Sequence, residues 1–252
     1  MLNHFPSLTA TDFAEACQAL ERRCHDRLDG TDWLSVRWLQ CGLNIRKSIV
    51  TVDADQGRVE SRLTAGQLAC PACPGVLAPW GFARRRGVRG VGLLRPRRAR
   101  CSGCLVTHVL LPVTVLLRRA DAAGVIWAGF LARAAGQGHR RIGLSLGVPE
   151  STARGWLRRM GSRLESVRLH FMLVARLAGV DLAVPKALGS PWQDLVAAVV
   201  AATTAVTARF GTAGVIGAVT AWQVVSASSG GRLLSPGWPT GLPGADSNTS
   251  CP

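Results

Sequence analysis

The chain has 252 residues, 48% of them apolar, and a mean hydropathy of +0.20. This composition can bury a substantial core, which excludes a chain that is disordered throughout for lack of hydrophobic residues. The length fits one or two domains. The net charge is +15, and only Lys47 and Lys186 among the 30 basic residues are lysines.

The positive charge is concentrated in the middle of the chain. Residues 1–60 carry a net charge of −2, residues 61–160 carry +15 and residues 161–252 carry +2. Between Glu60 and Asp121, eleven arginines occur without an acidic residue. This pattern predicts a polyanionic partner, with nucleic acid favoured over an anionic membrane. The alternative is an arginine-rich face that contacts only solvent.

No targeting or membrane-spanning segment is predicted. Residues 1–6 lack the basic start and apolar stretch of a signal peptide. The apolar runs 195–208 and 210–225 are separated by Arg209, and each is shorter than the roughly 18 residues of a spanning helix. We expect packed helices, no membrane partner, and a cytoplasmic, nucleoid-associated protein. Its cysteines should then be reduced thiols or metal ligands.

The first predicted element is an amphipathic helix over residues 12–28, within an N-terminal region of residues 1–32. Its apolar positions recur at helical spacing: Phe13, Cys17, Leu20, Cys24 and Leu28. Cys17 and Cys24 belong to this stripe, which favours core packing over a metal site with the adjacent His25. Cys41 and Cys251 have no partner at metal-ligand spacing.

A β-hairpin is predicted next. Residues 48–53 and 58–63 are rich in strand-forming residues and flank a turn-forming segment from Asp53 to Gly57. We expect this hairpin to extend the cysteine-bearing module that follows, within a region of residues 33–115.

Two Cys-x-x-Cys pairs predict a metal site. Cys70 and Cys73 are followed, after 27 residues, by Cys101 and Cys104. Two such pairs are typical of a zinc ribbon that holds one structural Zn²⁺ per chain with four thiolates. Arg98 and Arg100 would offset the excess negative charge, and His108 is expected beside the ligands or at the surface rather than among the ligands. A redox-active pair is the alternative.

A helix-turn-helix motif is predicted over residues 139–160. Helices are expected at 121–135, 139–146 and about 151–169, within a tri-helical unit of residues 118–175. Ile142, Ala153 and Trp156 would be buried, Gly147 would make the turn, and the second helix would present arginines to the major groove. An ordinary helical hairpin is the alternative. The predicted DNA contacts are Arg84, Arg85, Arg86, Arg89, Arg140, Arg141, Glu150, Ser151, Thr152, Arg154, Arg158 and Arg159.

Three stretches carry a resemblance to known proteins: Trp80 to Pro112, Leu117 to Asp121, and Gly147 to Arg159. Over about residues 33–160 the chain resembles an actinobacterial family of uncharacterised helix-turn-helix proteins, described as a domain of unknown function. It is also similar in layout to the zinc-ribbon and helix-turn-helix heads of insertion-sequence transposases. The resemblance implies DNA binding and a mobile-element origin, and it carries no established activity.

Catalysis is not predicted. A transposase needs a carboxylate triad that holds two metal ions. Beyond the predicted helix-turn-helix only Glu165, Asp181, Asp194 and Asp246 are acidic. We expect no enzyme and no small-molecule substrate.

The sequence therefore predicts an α+β protein that is mostly α. An N-terminal helix and β-hairpin lead to a zinc ribbon, a tri-helical helix-turn-helix unit, an apolar helical region at 176–229 and a disordered tail at 230–252. The predicted function is zinc-stabilised binding of double-stranded DNA, by a transcription regulator or a transposon-derived protein, and a homodimer through the C-terminal helices is also predicted. The alternatives are a zinc-ribbon adaptor for protein or RNA and the targeting subunit of a split transposase.

Overall fold

The computed structural model describes residues 49–179, 188–211 and 219–239. The predicted helix at 12–28 lies outside these ranges, as do Cys17, Cys24, Cys41 and Cys251. Within them the protein is an α+β fold in which helix predominates over strand, as predicted.

Within the described ranges, six strands form two sheets. They are β1 (Ile49–Val52), β2 (Leu77–Phe82), β3 (Arg86–Val88), β4 (Gly92–Leu94), β5 (Arg97–Cys101) and β6 (Thr107–Pro112). The larger sheet has the order β1-β6-β5-β2, and β3 pairs with β4 in a separate hairpin. The pairing of β1 with β6 is parallel, whereas β5 pairs antiparallel with both of its neighbours.

The predicted hairpin over residues 48–63 is wrong in its second half. The first strand exists as β1, but Gln56–Thr64 is a helix, α1. The side chain of Asp55 caps α1 by accepting hydrogen bonds from the Gly57 N–H at 2.8 Å and the Arg58 N–H at 3.2 Å. Val59 and Leu63, four residues apart, are buried in the same cluster as Leu77 of β2. The expected turn is therefore the start of a helix.

The small hairpin of β3 and β4 is fastened to the chain just before the helices. The Arg89 N–H donates to the Ala120 carbonyl at 2.7 Å, and the Ala122 N–H donates to the Arg89 carbonyl at 2.9 Å. Val88 is buried with Leu111 and Val115 in a small apolar cluster. These contacts fix the hairpin against residues 111–122.

Six further helices follow in the part of the chain that the structure describes. They are α2 (Ala123–Ala134), α3 (His139–Leu146), α4 (Glu150–Gly161), α5 (Leu164–Ala178), α6 (Pro191–Gly211) and α7 (Ala221–Ser228). All six contribute buried residues to one apolar core, so residues 118–175 and the later helices share their packing. A Cβ placed on Gly129 of α2 would lie 3.5 Å from atoms of both Ile142 and Trp156, so α2 contacts α3 and α4 closely. In the parts of the chain that are described, no helix is both long and apolar enough to cross a bilayer.

The predicted helix at 151–169 is two helices, which are separated at Ser162 and Arg163. At this break, the Arg163 guanidinium group joins the end of α4 to a distant part of the chain, and its Nε donates to the Arg159 carbonyl of α4 at 3.0 Å. It donates hydrogen bonds to the carbonyl oxygens of Ser235, at 2.7 Å, and Trp238. These bonds attach residues 233–238 to the junction of α4 and α5.

That segment corrects the prediction of a disordered tail beginning at residue 230. Residues 230–239 are described, and Leu233, Leu234 and Trp238 are buried in the helical core. The Arg119 guanidinium also donates to the Leu234 carbonyl at 2.8 Å. Residues 240–252 lie outside the described ranges.

Candidate metal centre and basic surface

The four predicted ligand cysteines lie together. Cys70 and Cys73 belong to the loop before β2, Cys101 ends β5, and Cys104 follows in the turn before β6. Their sulfur atoms all lie within 4.8 Å of one another, with Cys70 Sγ 3.8 Å from Cys104 Sγ and Cys73 Sγ 3.3 Å from Cys101 Sγ. Tetrahedral coordination with Zn–S bonds of about 2.3 Å separates the sulfurs by about 3.8 Å. The cluster therefore has the dimensions of a site for one metal ion.

Backbone amides surround the sulfurs. The N–H groups of Ala72, Gly75 and Gly103 point at the Sγ atoms of Cys70, Cys73 and Cys101, at 3.3–3.4 Å. Such donors favour the thiolate, which is the form that binds metal.

Gly75 lets the two cysteine loops meet. A Cβ at this position would lie 2.9 Å from both Cys101 Sγ and the Gly103 nitrogen, closer than real Cβ contacts allow. The approach of the two loops therefore requires a residue without a side chain here.

Two cysteines of the cluster, Cys70 and Cys101, differ in pKa. Burial raises the pKa of the Cys70 thiol to about 12. Burial also raises the pKa of Cys101, but the Cys104 and Gly103 N–H groups and the neighbouring thiols lower it to about 6. Cys101 is thus the first of these two to become a thiolate, and a cation would be needed to hold Cys70 deprotonated near neutral pH.

His108 lies beside the cluster, as predicted, and outside the four-sulfur set. It is fully buried on β6, and its Nε2 lies 3.6 Å from Cys70 Sγ. Its position suits a hydrogen bond to the Cys70 sulfur rather than metal coordination.

Arg100 and Arg98 lie on the strand that leads to Cys101. The Arg100 Nε donates to the Leu105 carbonyl at 3.2 Å, and its guanidinium carbon lies 4.6 Å from the centre of the Trp80 ring. Arg98 is exposed. Sequence reasoning did not select Trp80, although a tryptophan within an arginine-rich strand pair is itself a signal of a binding surface.

The four arginines predicted to contact DNA from the small hairpin differ in their surroundings. Arg84 and Arg85 are exposed. Arg86 is half-buried and donates hydrogen bonds to the carbonyls of Arg119, at 3.4 Å, and Leu116, at 3.5 Å, and burial lowers its pKa. Arg89 forms an ion pair with the buried Asp121, with Nη1 and Oδ1 3.2 Å apart. Two of these side chains therefore hold the hairpin in place, and two extend into solvent.

On α4, the exposed arginines face away from the core. Ala153, Trp156 and Met160 are buried, whereas Arg154 and Arg158 are exposed and lie one helical turn apart. The N–H of Gly147, which has a φ of +64°, closes α3 by donating to its last carbonyls. Glu150, the first residue of α4, follows only three positions after Gly147. Because this connection is short, the turn sets which side of α4 faces solvent.

The other predicted contact residues lie around the same turn. Arg140 and Glu150 form an exposed ion pair, with Nε and Oε2 3.6 Å apart, that links the starts of α3 and α4. Arg159 donates to the Gly155 carbonyl of its own helix at 3.1 Å. The remaining three are exposed or half-buried: Arg141, Ser151 and Thr152.

Two of the four C-terminal acidic residues are described, and both have local partners. Glu165 pairs with Arg168 at 2.6 Å, and Asp194 accepts a hydrogen bond from the Leu188 N–H at 2.7 Å. Asp181 and Asp246 lie outside the described residues.

No protein-family model, curated protein or solved structure matches the chain. The resemblance to an actinobacterial helix-turn-helix family and to transposase heads stays a prediction.

Proposed function

We propose that the protein is a zinc-stabilised DNA-binding protein in which α4 contacts base edges in the major groove. The observation that carries this proposal is the exposed face of α4, where Arg154 and Arg158 stand opposite the buried Trp156. Paired arginines on an exposed second helix suit bidentate contacts to guanine. The net charge of +15 in residues 61–160 supplies the attraction to phosphates.

The rigid connection between α3 and α4 supports a helix-turn-helix function. The Val148 N–H donates to the Gly143 carbonyl at 3.0 Å, across the left-handed Gly147. A Cβ on Gly143 would lie 3.1 Å from the Glu150 Cα, so the helices approach as closely as backbone allows. A helix held in this way keeps its arginines in one register on a duplex, which sequence discrimination requires.

The metal in this proposal is one structural Zn²⁺, held by Cys70, Cys73, Cys101 and Cys104. Four protein sulfurs fill a tetrahedral site and leave no open position for a substrate or an activated water. We also infer a binding protein rather than an enzyme, since Glu165 and Asp194 both have structural partners. Nucleoid association, a homodimer through the C-terminal helices and a mobile-element origin are further predictions from the sequence.

The test separates base contacts from phosphate contacts. A duplex selected for binding and a scrambled duplex are titrated by fluorescence anisotropy at several salt concentrations. Arg154→Ala should remove about 1–3 kcal/mol of discrimination at one base position and leave scrambled-duplex binding nearly unchanged. Arg84→Ala with Arg85→Ala should weaken both duplexes alike and reduce the salt slope by about 0.9 for each phosphate that the variant no longer binds.

Arg133→Ala is the matched control, because Arg133 is an exposed arginine of α2 whose side chain donates to the Gln137 carbonyl. Its affinity for both duplexes should equal that of the unmodified protein. Equal reductions in affinity for both duplexes in Arg154→Ala would contradict base contacts from α4. An affinity that does not change with salt would exclude nucleic acid as the partner.

A further inference from the structure

The larger sheet has one covered face and a second face that is open along β2 and β5, while the small hairpin packs on Ile49 and Leu111 on the β1–β6 side. Ala99 and Cys101 of β5 are buried in the cluster that includes Leu63 of α1. Because side chains alternate along a strand, Arg98 and Arg100 lie on the opposite face. There, Arg98 is exposed and Arg100 is half-buried. This second face is called the outer face below.

A bulge places Trp80 beside Arg100. The pairing of β2 with β5 is regular up to Pro79 and resumes at Gly81, so Trp80 is the additional residue. Its ring lies under the Arg100 guanidinium at 4.6 Å, while Trp80 as a whole residue stays 53% exposed. The hydrogen bond from Arg100 Nε to the Leu105 carbonyl holds the guanidinium in this position. An exposed tryptophan therefore lies against a guanidinium that is held in place, on the same sheet face as the exposed Arg98.

The charge of the outer face is positive. The residues that pair with Arg98 and Arg100 across the strands are Gly81, Val109, Ala78 and Thr107, and none is charged. The nearest preceding acid in the sequence, Glu60, belongs to α1 and pairs with Arg97 at 2.8 Å. Because Arg97 and Ala99 share a face, this ion pair lies on the covered side.

We propose that Trp80, Arg98 and Arg100 form a stacking site for an unpaired base of a DNA strand. A flat, exposed aromatic ring that lies against one guanidinium, with a second arginine on the same sheet face, offers stacking to any base and positive charge for its phosphate, which is how single strands are bound without sequence preference. A protein partner would also cover Trp80, but the two arginines without an acid favour a polyanion. The proposal rests on the proposed function for the choice of DNA, because the same chain would then already bind DNA at α4.

The experiment uses the full chain and a fluorescein-labelled thymidine oligonucleotide about 12 nucleotides long. Trp80→Ala should weaken its binding about tenfold and leave duplex binding unchanged. Trp80→Phe, which keeps a stacking ring, should retain most of the affinity. Arg98→Ala should lower the salt slope by about 0.7, the value for one phosphate contact on a single strand.

Leu93→Ala is the control, since Leu93 is an apolar side chain on β4 that is 68% exposed, and it should leave binding of the oligonucleotide unchanged. Equal zinc content in all variants confirms that the sheet is intact. Unchanged affinity in Trp80→Ala would overturn the proposal. Tighter Trp80-dependent binding of a uridine ribo-oligonucleotide would overturn the choice of DNA, and a Trp80-dependent protein complex without oligonucleotide binding would overturn nucleic acid altogether.

The outcome for α4 can be distinguished from the outcome for Trp80. Arg154→Ala should not change binding of the thymidine oligonucleotide. A protein that binds no duplex, yet binds the single strand through Trp80, would contradict the proposed function and support the stacking site.

Discussion

The sheet region and the helical region are stabilised by different means. The sheet region, residues 49–112, has a small core in which two of the buried side chains are Cys70 and Cys101. The helical region, the described part of 123–239, has a continuous core rich in large side chains such as Phe130, Trp156 and Phe171. A small domain with little apolar surface usually needs a metal or another crosslink, whereas a larger core does not. We therefore predict that metal removal and core truncation damage different halves of the protein.

Removal of the metal should have the strongest effect, which is unfolding of the sheet region. Cys73→Ser removes one of four sulfurs, and structural zinc contributes on the order of 10 kcal/mol to small zinc domains, comparable to a whole domain's stability. We expect zinc content to fall from one ion per chain to none. Amide hydrogen exchange should become fast in residues 49–112 and stay slow in α5 and α6.

Cys251→Ser is the control for this prediction, because Cys251 has no partner at metal-ligand spacing in the sequence. Its zinc content and hydrogen exchange should match those of the unmodified protein. Protein purified without zinc, or with a disulfide between these cysteines, would refute the metal assignment. Simultaneous unfolding of the helices would show that the two regions are not separable.

Truncation of a side chain in the helical core should destabilise the helical region and leave the zinc site of the sheet region intact. Phe130 is fully buried on α2, and its ring centre lies 5.7 Å from that of Trp192 on α6. Phe130→Ala should lower the free energy of unfolding by about 3–5 kcal/mol, measured by denaturant titration, with zinc content unchanged. The neighbouring Leu131 is 42% exposed, and Leu131→Ala should cost much less. Loss of zinc in Phe130→Ala would contradict separate stabilisation.

Acid should destabilise the helical region through His170. This fully buried imidazole packs against Trp238, with ring centres 4.7 Å apart, and burial lowers its pKa from 6.5 to about 3. The folded protein therefore resists a proton that the unfolded chain accepts near pH 6.5. The stability due to neutral His170 is fully present above pH 6.5 and is lost as the pH falls toward 3, by about 3 kcal/mol at pH 4.

The measurement compares unfolding free energies at pH 7 and pH 4 for the unmodified protein and for His170→Leu. The variant should lose about 3 kcal/mol less over this interval, because it has no imidazole to protonate in the core. His139→Leu, at the partly exposed start of α3, is the matched control and should keep the acid sensitivity. An identical pH dependence in all three proteins would refute the role of His170.

The features that sequence predicted best depend on local spacing. Two Cys-x-x-Cys pairs identified the four clustered sulfurs, since each pair brings its sulfurs together within one turn. The helix at 139–146 was predicted with its observed bounds, because Gly147 provides a stop that is visible in the sequence. The segment from Asp53 to Gly57 was misinterpreted because aspartate favours both turns and helix starts. The four-residue spacing of Val59 and Leu63 is the signal that distinguishes a helix start from a turn here.

What sequence did not predict depends on distant contacts. The parallel pairing of β1 with β6 joins residues separated by about sixty positions, and no local pattern encodes it. Composition alone suggested disorder from residue 230, yet Leu233 and Trp238 are buried because Arg163 binds the carbonyls around them. Local sequence does not distinguish an arginine that stabilises a remote loop from an arginine that contacts DNA. The same limit applies to Arg86 and Arg89, which are structural although their neighbours are free to bind a partner.

A weaker effect is expected at the junction of the two regions, where Arg89 of the small hairpin pairs with Asp121 just before α2. Asp121 is buried, and burial raises its pKa although Arg89 acts in the opposite direction. A half-exposed partner limits the strength of the pair, so a double-mutant cycle of Arg89→Met and Asp121→Asn should give a coupling of about 1 kcal/mol. In both single variants, hydrogen exchange should accelerate in β3 and β4, and zinc content should stay at one ion per chain.

A coupling of zero would mean that the backbone bonds of Arg89, the Arg86 side chain and the packing of Val88 hold the hairpin without this ion pair. A coupling of several kcal/mol, with unfolding of both regions in one transition, would mean that the two cores depend on each other and are not stabilised separately.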